Sequence, residues 1–424
     1  MTKTRFLSFS FLSLIVVALL LGCYSSKSSY NYDYTYLYDE SQKLIKPNFK
    51  LFHFNKDSSL LYYQLSTTDV LYGKQANADS LLKAQIWVKY KLFEDLEKKN
   101  IIDSATYKLT NFGSNESDKI LQAKFKFKAP LGGKYVLEIR FRDENKDLNV
   151  VYNEIVDKRN NYNDQFFLLS LGEKVLVTPI VNQTKAVTIK KSTFLLQDTF
   201  EVQLSDYKQG ITPPPFAENE LIIEPFKLDS FYTVVFQNNE IQLTKFKHTN
   251  RIIPVQTKIE DCFYYYNFYP QYPFIAEVAQ MQEPIRYIST SSEYKKVINA
   301  VNTKKAIDAF WLKLGKEELR TKKMIAEYYS RVEVSNNHFT SFREGWKTDR
   351  GIIYIVYGKP TTIYKTATNE RWIYGEENNI LSVQFEFIKT EDLRSNNTYE
   401  LVRNSDYKNN WYRAVDMWRQ AKIY

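Results

Sequence analysis

Cysteine is nearly missing from this chain: Cys23 and Cys262 are the two in 424 residues. If Cys23 is used elsewhere, Cys262 has no intramolecular partner and no disulfide framework exists. Histidine is almost as scarce. His53, His248 and His338 stand far apart and match no zinc spacing such as His-Glu-x-x-His. The sequence contains no Gly-x-Ser-x-Gly elbow, no P-loop and no Gly-x-Gly-x-x-Gly. A Cys–His nucleophile would need Cys262, which follows Asp261 in an aromatic strand and reads as a buried, inert thiol. Asp143, Asn145, Asp147 and Glu154 fall at calcium-loop spacings, but Leu148 occupies the position that needs glycine, so a polar hairpin is expected. No metal, cofactor or catalytic residue is therefore expected.

Glycine and proline are also sparse, at 12 each, against 33 Tyr and 28 Phe. Aromatic residues pack well on pleated surfaces, so this balance favours strands. The net charge of +9 is spread along the strands as a solvated face. For an exported chain it points to anionic lipid or an acidic partner, with nucleic acid set aside.

Export is what the first residues indicate. Lys3 and Arg5 precede an apolar run, Phe6–Leu21, that is short for a membrane span and ends in Leu20-Leu21-Gly22-Cys23. This order of parts resembles bacterial lipoprotein signals, which implies cleavage after residue 22 and lipidation of the Cys23 thiol. Acyl chains contribute about 0.8 kcal/mol per buried methylene, so several give a stable anchor. In such lipoproteins an Asp after the cysteine retains the protein in the inner membrane. Tyr24 stands there, so the outer membrane is expected, and Lys27 before Asp33 favours the periplasmic face over the cell surface.

Residues 23–46 read as a lipidated flexible tether. Within it Tyr30, Tyr32, Tyr34, Tyr36 and Tyr38 alternate, which would put all five on one face of an extended strand, read first as an edge strand packed on its own domain and second as a sugar- or partner-binding aromatic strip. Residues 47–170 show period-two alternation, as in Phe125 and Phe127 against Lys124, Lys126 and Lys128, with Gly132-Gly133 as a turn. Residues 171–290 repeat the pattern, with Leu221-Ile222-Ile223 among the strands and Phe263–Tyr269 dense enough to be buried on both faces. Two tandem β-sandwich domains of an immunoglobulin-like kind are expected. After Thr290 the period changes. Ile307, Phe310, Trp311 and Leu314 mark one helix, and Ile325, Tyr328, Tyr329 and Val332 a second, giving an α-helical hairpin over 291–340 with Gly315 as a stop. Residues 341–424 read as a small α+β module. In it Ile352–Tyr357 is expected as a covered strand, Trp372–Tyr374, Val383–Phe387 and Thr398–Val402 as further strands, and Trp411, Val415 and Trp418 as one face of a closing helix. The fold class is thus multidomain and mainly β.

The most specific string is Gly345-Trp346-Lys347-Thr348-Asp349-Arg350-Gly351. Downstream lie Tyr357-Gly358-Lys359-Pro360 and Trp372-Ile373-Tyr374, and upstream Phe310-Trp311 and Tyr329-Ser330-Arg331-Val332. Taken alone, the string suits a structural loop: a buried Trp346, a turn held by Thr348 or Asp349, glycines for unusual backbone angles, and Arg350 paired with Glu344 or Glu386. It also resembles the GWxTD-domain proteins of Bacteroidetes and related bacteria, in all of the strings just quoted. Where that family often carries Arg-Asp-Pro after Phe-Trp, this chain has Lys313-Leu314-Gly315. The family has no assigned activity to carry over.

These readings lead to three expectations of function. The first is an outer-membrane lipoprotein acting as a non-catalytic scaffold or accessory subunit of an envelope secretion or assembly complex, with an envelope protein as partner. The second is a glycan- or peptidoglycan-binding lipoprotein that uses the tyrosine strip. The third is an envelope enzyme using Asp349, Arg350 and Glu344.

Overall fold

The computed structural model describes residues 33–38 and 44–422, apart from 74–81, 96, 114–118, 147, 160–162, 182–185, 219–224, 256–261, 378 and 393. The signal segment, Cys23, Tyr30, Tyr32, Asp147 and Leu221–Ile223 lie outside the described residues. Among the described residues the chain is mainly β, with five antiparallel sheets.

The first sandwich pairs β1 (Asn48–His53), β2 (Ser58–Ser66) and β5 (Ile120–Lys128) in one sheet. The facing sheet runs in the order β4 (Ile101–Phe112), β3 (Lys83–Phe93), β6 (Lys134–Asp143), β7 (Leu148–Asp157). Alternation along β3, β5 and β6 sends Ile86, Val88, Phe125, Phe127, Ile139 and Phe141 into one core. The second sandwich sets the sheet β13 (Glu240–Leu243), β10 (Val187–Lys191), β8 (Phe167–Leu171), β9 (Lys174–Val175) against β12 (Ser230–Val235), β11 (Thr199–Ser205), β14 (Thr249–Pro254), β15 (Phe263–Tyr266). Strand β8 pairs with β10, so it belongs to the second sandwich although it lies just before residue 171. The expectation for Phe263–Tyr269 holds in β15, where all four residues are buried. Phe263 and Tyr265 enter the sandwich core, while Tyr264 and Tyr266 join Phe268, Tyr272 and Phe342 in a cluster that leads to the C-terminal part.

The C-terminal part has one core. Helices α1 (Ser291–Ile298), α2 (Thr303–Gly315), α3 (Glu318–Phe339), α4 (Asp349–Tyr357) and α5 (Tyr407–Arg419) surround a sheet ordered β16 (Thr362–Lys365), β17 (Asn369–Tyr374), β18 (Val383–Lys389), β19 (Tyr399–Leu401). Trp311, Tyr328, Val332, Phe339, Trp372 and Trp418 share that core, so the helices at 303–339 are part of this module and not a separate hairpin. Their buried faces are those read from the 3.6-residue period. Gly315 is the last residue of α2, and Lys316 beyond it takes the left-handed φ of 65°. A Cβ on Gly315 would lie 2.1 Å from the Thr321 hydroxyl, so close packing of α3 is what demands glycine there.

Two expectations fail. Ile352–Tyr357 is the body of helix α4, with buried residues on every side. A short, wholly apolar run has no polar face to reveal its period, and its β-branched residues suggested a strand. The fourth strand of the sheet is instead β16. The tether reading fails over residues 33–38. Thr35–Tyr38 form a 3-10 turn, Asp33 bridges to Tyr364, and Tyr34, Leu37 and Tyr38 are buried in the C-terminal core. The aromatic rings gain more from that core than from water, which removes the extended tyrosine face.

Candidate functional site

The motif lies between α3 and α4. Gly345 starts a single 3-10 turn, Gly345–Lys347, pressed against α3: a Cβ there would sit 1.9 Å from the Ser335 carbonyl oxygen. A Cβ on Gly351 would sit 2.0 Å from the Gly345 carbonyl oxygen. Neither glycine has a positive φ, so closeness of backbones, not an unusual angle, requires them. Trp346 is buried against Tyr287, its N–H donating to Asn336 Oδ1 at 3.2 Å and its carbonyl accepting from the Tyr287 hydroxyl at 3.3 Å. The Gly345 N–H donates to the Tyr272 hydroxyl at 3.2 Å. Thr348 caps α4: its hydroxyl accepts from the Gly351 N–H at 3.1 Å and donates to the Gly345 carbonyl at 2.7 Å.

The two charged motif residues point into different networks. Asp349 pairs with Arg403 and accepts the Leu401 N–H at 3.0 Å. Arg403 also donates to the carbonyls of Pro213 (3.2 Å) and Pro214 (2.6 Å). Burial pushes the Asp349 carboxyl up, against the pull of Arg403, the Leu401 N–H and Arg343. Arg350 reaches the sheet. It donates to Glu370 Oε1 at 3.0 Å and to Asn397 Oδ1 at 2.6 Å, and its guanidinium stacks 3.9 Å from the Tyr399 ring centre.

Glu370 is fully buried and is the hub. Besides Arg350 it takes Lys365 at 2.9 Å, the Tyr38 hydroxyl at 3.0 Å and Trp372 Nε1 at 3.2 Å. Burial alone would raise its carboxyl, but Lys365 first and then Arg350 hold it down at about 2. The expected partners of Arg350 were Glu344 and Glu386. Glu344 instead pairs with Lys347 at 3.3 Å and faces His248 at 3.9 Å, and Glu386 is exposed on β18. Burial would raise Glu344 too, but Lys347 and His248 bring it to about 2. A signal for Glu370 was present: in Asn369–Tyr374, period two places it on the face of Trp372. Tyr38, Asn397 and Arg403 left no such mark, because they meet the motif only through the fold.

The later motif residues close the same core. Gly358 ends α4 at φ 81°, its carbonyl accepting from the Tyr374 hydroxyl at 2.8 Å. Tyr357 packs against Tyr374 and Phe385, both with ring centres 5.1 Å away. Pro360 is buried ahead of β16, and Trp372 sits among Tyr38, Phe339 and Phe387. The void beside Asp349 and Arg350 measures about 20 Å³, room for a single water. Chemically, the arrangement neutralises charge internally and joins elements together.

Elsewhere, Asp143 of the expected hairpin spends its carboxylate on the Leu71 and Asn145 N–H groups, each at 2.9 Å. Cys262 is buried. Among the described residues, no group of three or more His, Cys, Asp or Glu is placed to hold a metal ion. No described helix is long and apolar enough to cross a membrane.

Residues 251–420 match the model of the GWxTD domain. The chain is therefore a GWxTD-domain-containing protein, and the match begins in β14, so it includes the β15 segment and the Tyr272 that holds Gly345. No curated protein matches the chain. Among solved structures, a glycosyl hydrolase family 2 member from Bacteroides cellulosilyticus is 10% identical, with 28% of this chain and 14% of that chain covered and a TM-score of 0.19. A calcium-binding mutant of beta-glucuronidase 2 from Bacteroides uniformis is 6% identical, with 36% and 16% covered and a TM-score of 0.18. The chain thus spans a small part of either enzyme, and neither likeness bears on its activity.

Proposed function

We propose that this protein is a non-catalytic scaffold or accessory subunit of a cell-envelope complex, anchored through Cys23 at the periplasmic face of the outer membrane. The observation that carries the reading is the internal use of Asp349 and Arg350. Both are buried, and both are ion-paired to other parts of the same chain. The most distinctive string of the sequence is thus spent on joining the helices, the C-terminal sheet, the 213–214 loop and the N-terminal segment. Such a junction suits a rigid body that presents surfaces to partners. The test is purification of the C-terminally tagged chain from outer membrane in mild detergent. A stoichiometric envelope protein should co-elute, and a solitary chain would count against the scaffold.

A second reading, glycan or peptidoglycan binding, draws support from a different place than the tyrosine strip. A cleft of about 550 Å³ lies among β7, the start of the second sandwich and the C-terminal sheet, and Glu154, Asp164, Thr368, Lys389 and Asn396 are among the residues that line it. Burial pushes the Glu154 carboxyl up against the pull of Lys389 and Lys365. This reading expects retention on purified cell wall, weakened by Glu154→Gln and Lys389→Ala. Absence of retention removes it. The enzyme reading with Asp349, Arg350 and Glu344 requires that Asp349→Ala give a folded, inactive protein. Loss of the fold is the outcome expected from its buried ion pair.

A further inference from the structure

The tip formed by the end of α1, the turn 299–302 and the start of α2 combines exposed aliphatic side chains with exposed lysines. Val301, at the apex, has a relative exposure of 107%, and Ile298 beside it 39%. From Tyr294 to Ile307 the sequence holds four lysines, Lys295, Lys296, Lys304 and Lys305, and no acid. All four are exposed. Lys304 pairs with Asp308 at 2.6 Å. Among the described residues, the other three make no ion pair.

The apex is held stiffly. Asn302 caps α2 by accepting the Lys305 N–H at 2.9 Å, and Gln282 Nε2 donates to the Val297 carbonyl at 2.9 Å. Thr290 and Glu293 form a capping box at the start of α1, and Glu293 is tied to Lys313 and Arg419, both at 2.8 Å. Val297, Phe310 and Trp311 bury the inner side. The hairpin cannot fold its apex inward, so Val301 stays in water unless something covers it.

We infer that this tip docks on an anionic bilayer, with Val301 and Ile298 entering the boundary between headgroups and acyl chains and the four lysines meeting lipid phosphates around them. The pattern fits a bilayer better than a protein groove. A protein partner calls for a broad apolar core with a polar rim, whereas here two exposed aliphatic side chains lie between two pairs of exposed lysines along the chain. Lysine stems lie along an apolar surface and keep their ammonium groups at the polar layer.

The test uses the full chain carrying Val301→Trp, with Leu196→Trp as control; Leu196 is 91% exposed, in the second sandwich. The emission added over the parent is read with vesicles containing brominated lipid, either phosphatidylethanolamine with phosphatidylglycerol or phosphatidylcholine alone. Quenching of the Val301→Trp signal in anionic vesicles is expected, with little in neutral ones and little for Leu196→Trp. Adding Lys295→Glu and Lys296→Glu should raise the anionic lipid needed at half-quenching at least about tenfold. Equal quenching of the two tryptophans, or indifference to the charge reversal, would overturn the inference. So would shielding by an acidic protein with none by lipid. No envelope partner is present in the assay, so its result stands apart from the fate of the scaffold reading.

Discussion

Arg350 and Glu370 show how a motif residue can be tied into the fold through its charge. Both are buried, and each has several internal partners. Removing Arg350 leaves the buried Glu370 carboxylate with Lys365 as its one remaining ion-pair partner among the described residues. Arg350→Met is therefore expected to cost about 3–5 kcal/mol, toward the lower end because Lys365 remains beside Glu370. Replacing both, as Arg350→Met with Glu370→Leu, should recover part of that loss. Urea denaturation of the two single variants and the double closes the cycle, and strictly additive losses would disprove the coupling. Two buried histidines govern the acid side. Burial, then Lys158, lowers His53 from 6.5 to about 3; burial, then Lys46 and Arg350, lowers His338 to about 4. Both stay neutral in the fold while the unfolded chain protonates them near 6.5. Their contribution is present above that pH and is lost progressively as pH falls from 6.5 toward 4. The denaturation midpoint should drop across this window, and His53→Gln should flatten the drop. His53 would otherwise have to charge while bonded to Ser59 Oγ at 2.9 Å and the Asp157 carbonyl at 3.0 Å.

At the scale of the element, α4 is the instructive case. Its six residues from Ile352 to Tyr357 are apolar throughout, so no periodicity separated a buried helix from a buried strand. What decides between them lies at the ends: the Thr348 cap, and Gly358 at φ 81° as the stop. Thr348→Ala should cost about 1 kcal/mol, and Thr348→Ser far less, because the serine hydroxyl can still accept the Gly351 N–H. Equal losses in thermal unfolding would mean that the cap is unimportant. Gly345→Ala is a harsher change. Its Cβ would fall 1.9 Å from a backbone oxygen of α3, which no side-chain adjustment can relieve. A loss of about 3 kcal/mol or more is expected, seen as early proteolysis of the C-terminal part. By contrast α2 and the buried faces of β3, β5, β6 and β15 were legible, because each alternates or repeats against a polar face or carries a dense aromatic run.

At the scale of the molecule, the N-terminal segment at 33–38 belongs to the C-terminal core, although both sandwiches intervene in sequence. Tyr38 joins it there through its hydroxyl on Glu370 and through its carbonyl, which accepts the Tyr354 hydroxyl at 3.1 Å. The Tyr34 N–H donates to the Ile363 carbonyl at 2.7 Å. Tyr38→Ala should release the segment, so that hydrogen exchange speeds up at the Tyr34 and Leu37 amides while β6 and β11 keep their protection. Unchanged exchange at those two amides would show that other contacts hold it. The sequence by itself determined the strands that alternate, the helices with a polar face, and the string that marks the GWxTD domain, since all of these are written in neighbouring residues. Only the tertiary structure decided that Arg350 meets Glu370, that Asp349 meets Arg403, that Ile352–Tyr357 coils, and that Tyr38 closes the hub. Those outcomes depend on burial among residues distant in the chain, where desolvation and close packing outweigh local preference.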